Sequence, residues 1–249
     1  MEKLLDEIES YWSTRTEGYS EVNHKELAGT QKNAWLKVLT SQFPDKPKEE
    51  IRILDIGTGP GFFPVILAEA GYHVDAVDYT EGMLEKAKEN AGDLCRNIRF
   101  LRMDAQKLDF EDNTFDVVIS RNLTWNLEHP DVAYREWVRV LKVGGRLLNF
   151  DANWYGYLYE EEQRKAYEND RKNVENNSLD DHYLCTDIER MERIALQVPL
   201  SKISRPQWDV KTLREAGLLG IRTDTEIWKT VWSEEERLNY QSTPMFMVT

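Results

Sequence analysis

The run Asp55-Ile56-Gly57-Thr58-Gly59-Pro60-Gly61 constrains this chain more than any other stretch. It joins IRILDIG, a short apolar run that reads as a buried strand, to FFPVILAEAG, an apolar helix closed by Gly71. Glycines at alternate positions let the backbone turn tightly and come close to a ligand that any Cβ would push away. The helix that follows presents unbonded N–H groups at its first turn. Many nucleotide-binding folds use such a turn, but the spacing here is G-x-G-x-G. That is neither the G-x-G-x-x-G of dinucleotide sites nor a P-loop, which needs a Lys-Ser/Thr pair.

From Ile51 the strand and helix patterns alternate. HVDAVDY is a second strand, and TEGMLEKAKENA is a helix with Met83, Leu84, Ala87 and Ala91 on one face. NIRFLRMD and TFDVVISRN are the third and fourth strands. PDVAYREWVRVLKVGG is a helix with Pro130 in its first turn, Gly144 beyond its end and His129 as its cap. RLLNFDA is the fifth strand, VKTLREAGL a helix, and IRTDTEIWKTVW and PMFMVT read as two antiparallel closing strands. The expected class is α/β, with a mainly parallel seven-stranded sheet covered by helices on both faces. Ahead of it, residues 1–28 are polar with Tyr11, Trp12 and Tyr19 interspersed. A helix then starts from a Thr30 cap, carries Trp35, Leu36, Leu39 and Phe43, and stops at Pro44. Residues 153–205 hold six aromatics from Trp154 to Tyr183 among many charges and read as a helical insertion after the fifth strand. The expected organisation is a single domain over 1–249, with N-terminal lid and helices in 1–50 and the ligand-binding core in 51–152. A cap fills 153–205, and a closing helix and strands fill 206–249.

Acids outnumber bases 45 to 32, for a net charge of −13. Affinity for a phosphate backbone comes from Lys and Arg, so nucleic acid is not expected as a partner. Cys95 and Cys185 form no C-x-x-C pair and the four histidines show no H-x-x-x-H pairing, which gives a disulfide framework or a metal site no support. The start MEKLLDEIESYW has no apolar core, and runs such as Val117-Val118-Ile119 are too short to cross a bilayer. A reducing cytoplasm, with no membrane partner, is the expected setting. Oligomeric state is silent.

Two further acids sharpen the glycine turn. Asp78 ends the second strand, where a carboxylate is placed to accept from ribose hydroxyls, and Asp104 ends the third, within reach of an adenine amine. With Asp55 they converge on the crevice beyond the carboxyl ends of the strands, where open α/β sheets bind ligands.

ILDIGTGPGF, VDAVDYTEGML, MDAQKLDFEDNTFDVVISRN and LKVGGRLLNF together resemble the class I S-adenosylmethionine-dependent methyltransferases. Within that family they look most like the small-molecule branch that includes ubiquinone-biosynthesis-type enzymes. The match covers roughly residues 51–151 in order. The resemblance implies a Rossmann-like fold, S-adenosylmethionine as cofactor with S-adenosylhomocysteine as product, and a small-molecule methyl acceptor. It also implies roles. Asp55, Gly57, Thr58, Gly59 and Gly61 frame the methionine part, and Asp78 holds the ribose. Tyr79 and Met83 lie against the adenine, while Asp104 and Ala105 mark its edge. Arg121 lies near the sulfonium and the acceptor, and YWSTRTEGYS resembles a lid that brings in Tyr19.

Plainer roles stand beside these. Asp55 can simply tie down the turn, and Arg121 can pair with acids. Asp151, His129 and Tyr155 are candidate general bases, none of which stands out, so no catalytic residue is assigned. Methylation of a protein or RNA component, or non-catalytic binding of the cofactor, would use the same turn.

Overall fold

The computed structural model describes residues 4–183 and 186–249, so Cys185 lies outside the described residues. Seven strands form one sheet: β1 (Arg52–Ile56), β2 (His73–Asp78), β3 (Ile98–Arg102), β4 (Phe115–Arg121), β5 (Leu141–Asp151), β6 (Thr223–Asp224) and β7 (Phe246–Val248). Their order is β3-β2-β1-β4-β5-β7-β6. The first five run parallel, and β7 runs antiparallel to both β5 and β6. β1 pairs with β2 on one side and β4 on the other, so the chain reverses its winding there and a crevice opens above their carboxyl ends. The expected Rossmann-like α/β sheet is what forms.

Ten helices accompany the sheet among the described residues: α1 (Leu4–Ala28), α2 (Gln31–Ser41), α3 (Phe62–Glu69), α4 (Glu81–Ala91), α5 (Pro130–Val140), α6 (Glu161–Asn176), α7 (Ile188–Ala195), α8 (Gln207–Glu215), α9 (Trp228–Val231) and α10 (Glu234–Asn239). In β1 every residue after Arg52 is buried, and in β4 every residue before Arg121 is, as parallel strands covered on both faces require. On one face Trp35 and Leu39 of α2 and Phe63 and Ile66 of α3 pack on Ile53, Val117, Ile119 and Phe150. Trp35 meets Phe63 and Phe150 edge-on at 5.1 and 5.0 Å, and such pairs contribute about 0.5–1.5 kcal/mol each beyond their burial. On the other face Ala133, Trp137 and Val140 of α5 and Leu213 of α8 cover Leu54, Val118 and Leu147.

α1 is a single helix of 25 residues. Its buried residues, Ile8, Tyr11, Thr16, Ser20, Asn23 and Glu26, recur every three to five positions, so one face turns inward although most of that face is polar. In the 153–205 region, Tyr155, Tyr157 and Tyr183 pack with Tyr11, Trp125 and the apolar face of α7. Tyr157 stacks on Tyr167 at 4.1 Å. No helix among the described residues is long and apolar enough to cross a membrane.

The structure corrects four local expectations. Thr30 is itself helical and makes no side-chain cap, and His129 makes none either; its N–H donates instead to Gln106 Oε1 at 2.6 Å. The helix expected over PDVAYREWVRVLKVGG ends at Val140, because Leu141 already pairs with Phe115 and LKVGG opens the long strand β5. IRTDTEIWKTVW supplies only the two residues of β6. Its buried positions Ile227, Val231 and Trp232 follow a helical rather than an alternating spacing, and α9 results.

Candidate functional site

A cavity of about 840 Å³, counted to its open mouth, lies at the carboxyl ends of β1 to β4 beneath α1. Its floor is the glycine turn. Gly57 and Thr58 donate to Val77 O at 2.8 and 3.0 Å, which ties the turn to β2. Gly59 N–H donates to Asp78 Oδ2 at 2.8 Å, and Thr80 N–H to Asp78 Oδ1 at 2.9 Å. One carboxylate therefore holds the glycine turn and the entry to α4 together. Gly57, Gly59 and Gly61 have φ of 69°, 53° and 92°, values that side chains with a Cβ rarely adopt. Crowding explains them further. A Cβ at Gly57 would stand 2.7 Å from Leu123 Cδ2, and one at Gly61 would stand 3.0 Å from the Ala87 Cβ.

Nine of the twelve residues expected at the site line this cavity: Tyr19, Gly57, Gly59, Asp78, Tyr79, Met83, Asp104, Ala105 and Arg121. Asp55, Thr58 and Gly61 do not. Gly61 is turned toward Ala87, so it serves the packing of α3 against α4. Asp55 is 2% exposed behind the turn, and burial pushes its carboxyl up to about 7. Thr58 is buried as well. Burial also raises Asp78, against the hydrogen bonds it accepts from Thr80 and Gly59. Asp104 accepts from Gln106 N–H at 2.8 Å and from Gln106 Nε2 at 3.1 Å, which shapes the loop after β3.

Arg121 reaches Glu26 of α1 through two hydrogen bonds of 2.7 and 3.0 Å. Its guanidinium lies over the rings of Phe62 at 4.7 Å and Phe63 at 5.1 Å. Burial opposes this charge, but Glu26 outweighs it and raises the arginine above its ordinary range. The cation on the cavity wall is thus already matched. Tyr19 lies with its ring edge 3.6 Å from where a Gly59 Cβ would stand, and burial raises its hydroxyl.

The segment expected as a lid lies in α1, and beyond Tyr19 sequence reasoning missed which of its residues line the cavity: Leu5, Ile8, Glu9 and Trp12. The signal was present in the helical spacing of Leu5, Ile8 and Trp12, but the helix as a whole reads as polar. Glu9 pairs with Arg102 at 2.6 Å, and that guanidinium lies 5.2 Å from the Tyr79 ring centre. Also missed were Asn122, Leu123, Asn126, Leu127 and Glu128 from the segment after β4. Asn122 has φ 56°, a left-handed conformation that asparagine tolerates better than most residues.

None of the three candidate bases lines the cavity. Asp151 is fully buried and committed: Arg205 donates to it at 2.7 Å, Trp125 N–H at 3.0 Å and Trp154 Nε1 at 3.0 Å. The His129 ring is 62% exposed, with Glu128 at 3.7 Å. Tyr155 is buried in the aromatic cluster against Trp125.

A family model described as "Methyltransferase domain" matches residues 54–149. The demethylmenaquinone methyltransferase of Paenarthrobacter aurescens is 34% identical over 149 residues, covering 59% of this chain and 56% of that protein. The ubiquinone/menaquinone biosynthesis C-methyltransferase of Pseudomonas putida is 41% identical over 103 residues, covering 39% of this chain and 40% of that protein. The chain spans between 39% and 60% of the length of such curated relatives. Among solved structures, a SAM-dependent methyltransferase of Aquifex aeolicus aligns with TM-score 0.53 and 22% identity over 90% of this chain and 94% of that one. Phosphoethanolamine N-methyltransferase 2 of Haemonchus contortus, in complex with S-adenosyl-L-methionine, aligns with TM-score 0.60 and 18% identity over 87% of this chain and 51% of that one. Those two likenesses are of fold.

Proposed function

We propose that this chain is a class I S-adenosylmethionine-dependent methyltransferase and that it transfers a methyl group from S-adenosylmethionine to a small-molecule acceptor. The observation that carries the proposal is the cavity itself: bare backbone of the glycine turn on one side, the carboxylates of Asp78 and Asp104 on the other, and apolar walls between. Those features suit a nucleoside joined to an amino acid.

In this reading Gly57 and Gly59 face the methionine part. Asp78 takes the ribose hydroxyls, its carboxylate held in place by the N–H groups of Gly59 and Thr80. Tyr79 and Met83 flank the adenine, with Asp104 and Ala105 at its edge. Asp55, Thr58 and Gly61 shape the turn from behind. Bound there, the cofactor supplies an activated methyl group. The chain's own residues have the tasks of alignment and exclusion of water. Holding two reactants in line can supply about 7–11 kcal/mol of a barrier. The α1 wall, from Leu5 to Tyr19, covers one side of the cavity and narrows the access of water to it. Arg121 serves by fixing α1 through Glu26 rather than by meeting the sulfonium.

The acidic balance of the chain supports a neutral or cationic small molecule over a polyanion as acceptor. The names of the curated relatives support a quinone precursor among the candidates. The free thiol of Cys95 fits a cytoplasmic setting.

Calorimetric titration with S-adenosylmethionine and with NADH tests the proposal. S-adenosylmethionine should bind and NADH should not, and Asp78→Ala should weaken binding at least about tenfold. Wild-type protein that ignores S-adenosylmethionine would end this reading. A radiolabelled-methyl screen over amines, thiols, phenols and quinone precursors then identifies the acceptor.

A further inference from the structure

One turn of 3₁₀ helix, Thr124–Asn126, follows β4 along the cavity. It is strapped down from below. Thr124 Oγ1 donates to Asn149 Oδ1 at 3.0 Å, and Trp125 N–H donates to Asp151 Oδ2 at 3.0 Å. Those two acceptors are themselves fixed. Asn149 Nδ2 donates to Tyr134 OH at 2.9 Å, and Asp151 is bound by Arg205, which also grips Asp209. Asn126 N–H donates to Leu123 O at 3.0 Å, so its backbone is pinned as well.

The Asn126 side chain is the exception in this network. The residue is 4% exposed and lines the cavity, yet its Oδ1 is buried with no hydrogen-bond partner among the described residues. A buried amide oxygen without a donor is costly, and buried polar groups in folded proteins nearly always find one. The straps on Thr124 and Trp125 prevent the turn from moving to satisfy it.

We infer that Asn126 is a ligand-recognition residue, whose amide oxygen accepts a hydrogen bond from an N–H or O–H of the molecule held in the cavity. The inference rests on the reading that this molecule is S-adenosylmethionine, which carries such donors at both ends: hydroxyls and an amine on the nucleoside, and an ammonium on the amino acid.

The test is calorimetric titration of wild type, Asn126→Leu and Asn126→Asp with S-adenosylmethionine and with 5′-methylthioadenosine, which lacks the amino-acid end. Asn126→Leu removes the acceptor at similar volume and should weaken S-adenosylmethionine about tenfold. Asn126→Asp keeps an acceptor oxygen in place and should stay within about threefold. A loss shared by 5′-methylthioadenosine puts the donor on the nucleoside, and a loss confined to S-adenosylmethionine puts it on the amino acid; either supports the role. If Asn126→Leu fails to fold, Asn126→Ser replaces it in the comparison. Wild-type affinity in Asn126→Leu overturns the inference and leaves the cofactor reading intact. So do equal losses in the Leu and Asp variants, which would report packing. Absence of binding by wild type overturns both.

Discussion

Arg121 at the end of β4 and Glu26 in the last turn of α1 form a two-point ion pair, 2.7 and 3.0 Å long, with side chains 13% and 6% exposed. It bolts the helix that roofs the cavity to the end of β4 in its wall.

Removing one partner of such a pair leaves an uncompensated buried charge, a loss of about 3–5 kcal/mol. Glu26→Gln is expected to show that loss chiefly as detachment of α1. Hydrogen exchange across residues 4–28 should speed up well ahead of β1 and β4. Uniform acceleration over the whole chain would show instead that α1 is no separate unit.

Asp55 gives stability a pH dependence. Its folded-state pKa of about 7 lies above the ordinary 3.8, so between those values the folded chain holds a proton that the unfolded chain has lost. That contribution is fully present below about pH 4 and is lost as pH rises through about 7, so stability falls across the window. The size is a few kcal/mol. Urea unfolding of Asp55→Asn should lack this slope between about pH 4 and pH 7. A variant with the wild-type slope would refute the assignment.

Asp151 is expected to matter for stability and not as a base. It shares Arg205 with Asp209, and both side chains of the Asp151–Arg205 pair are wholly buried. Arg205→Met strands two carboxylates and should cost about 3–5 kcal/mol in denaturant unfolding. Should Arg205→Met prove as stable as wild type, the ionic cluster contributes little to holding β5 against α8.

The glycines of the turn should separate. Gly61→Ala places a Cβ against Ala87 at φ 92° and should lose about 1–3 kcal/mol of stability. Cofactor affinity should change by less than about threefold, because Gly61 does not line the cavity. A large loss of affinity at unchanged stability would return Gly61 to the ligand.

Much of this was legible in the chain. β1, α3, β2, α4 and β4 announce themselves because buried parallel strands are short apolar runs that alternate with longer helical segments, and the glycines mark the corner. Asp78 and Asp104 could be placed because a strand end fixes where a side chain sits. Partners far apart in sequence were not legible. Nothing local in VNHKELA says that Glu26 will meet Arg121, and the polar face of α1 hid that the expected lid lines the cavity through Ile8 and Trp12. Asp55, Thr58 and Gly61 share the motif with Gly57 and Gly59, but Asp55 and Thr58 are buried and Gly61 packs against Ala87, so motif membership overstated which residues face the cavity. The first closing strand was read too long for a related reason: Ile227, Val231 and Trp232 allow a helix as readily as a strand until the packing is known.

The shared grip of Asp78 on Gly59 and Thr80 has a kinetic corollary. The floor of the crevice reaches its working shape when the chain folds, so an arriving nucleoside finds no loop to rearrange and loses little entropy in ordering one. Association should then run as a single phase, linear in ligand concentration, and differences among analogues should be written in how slowly they leave.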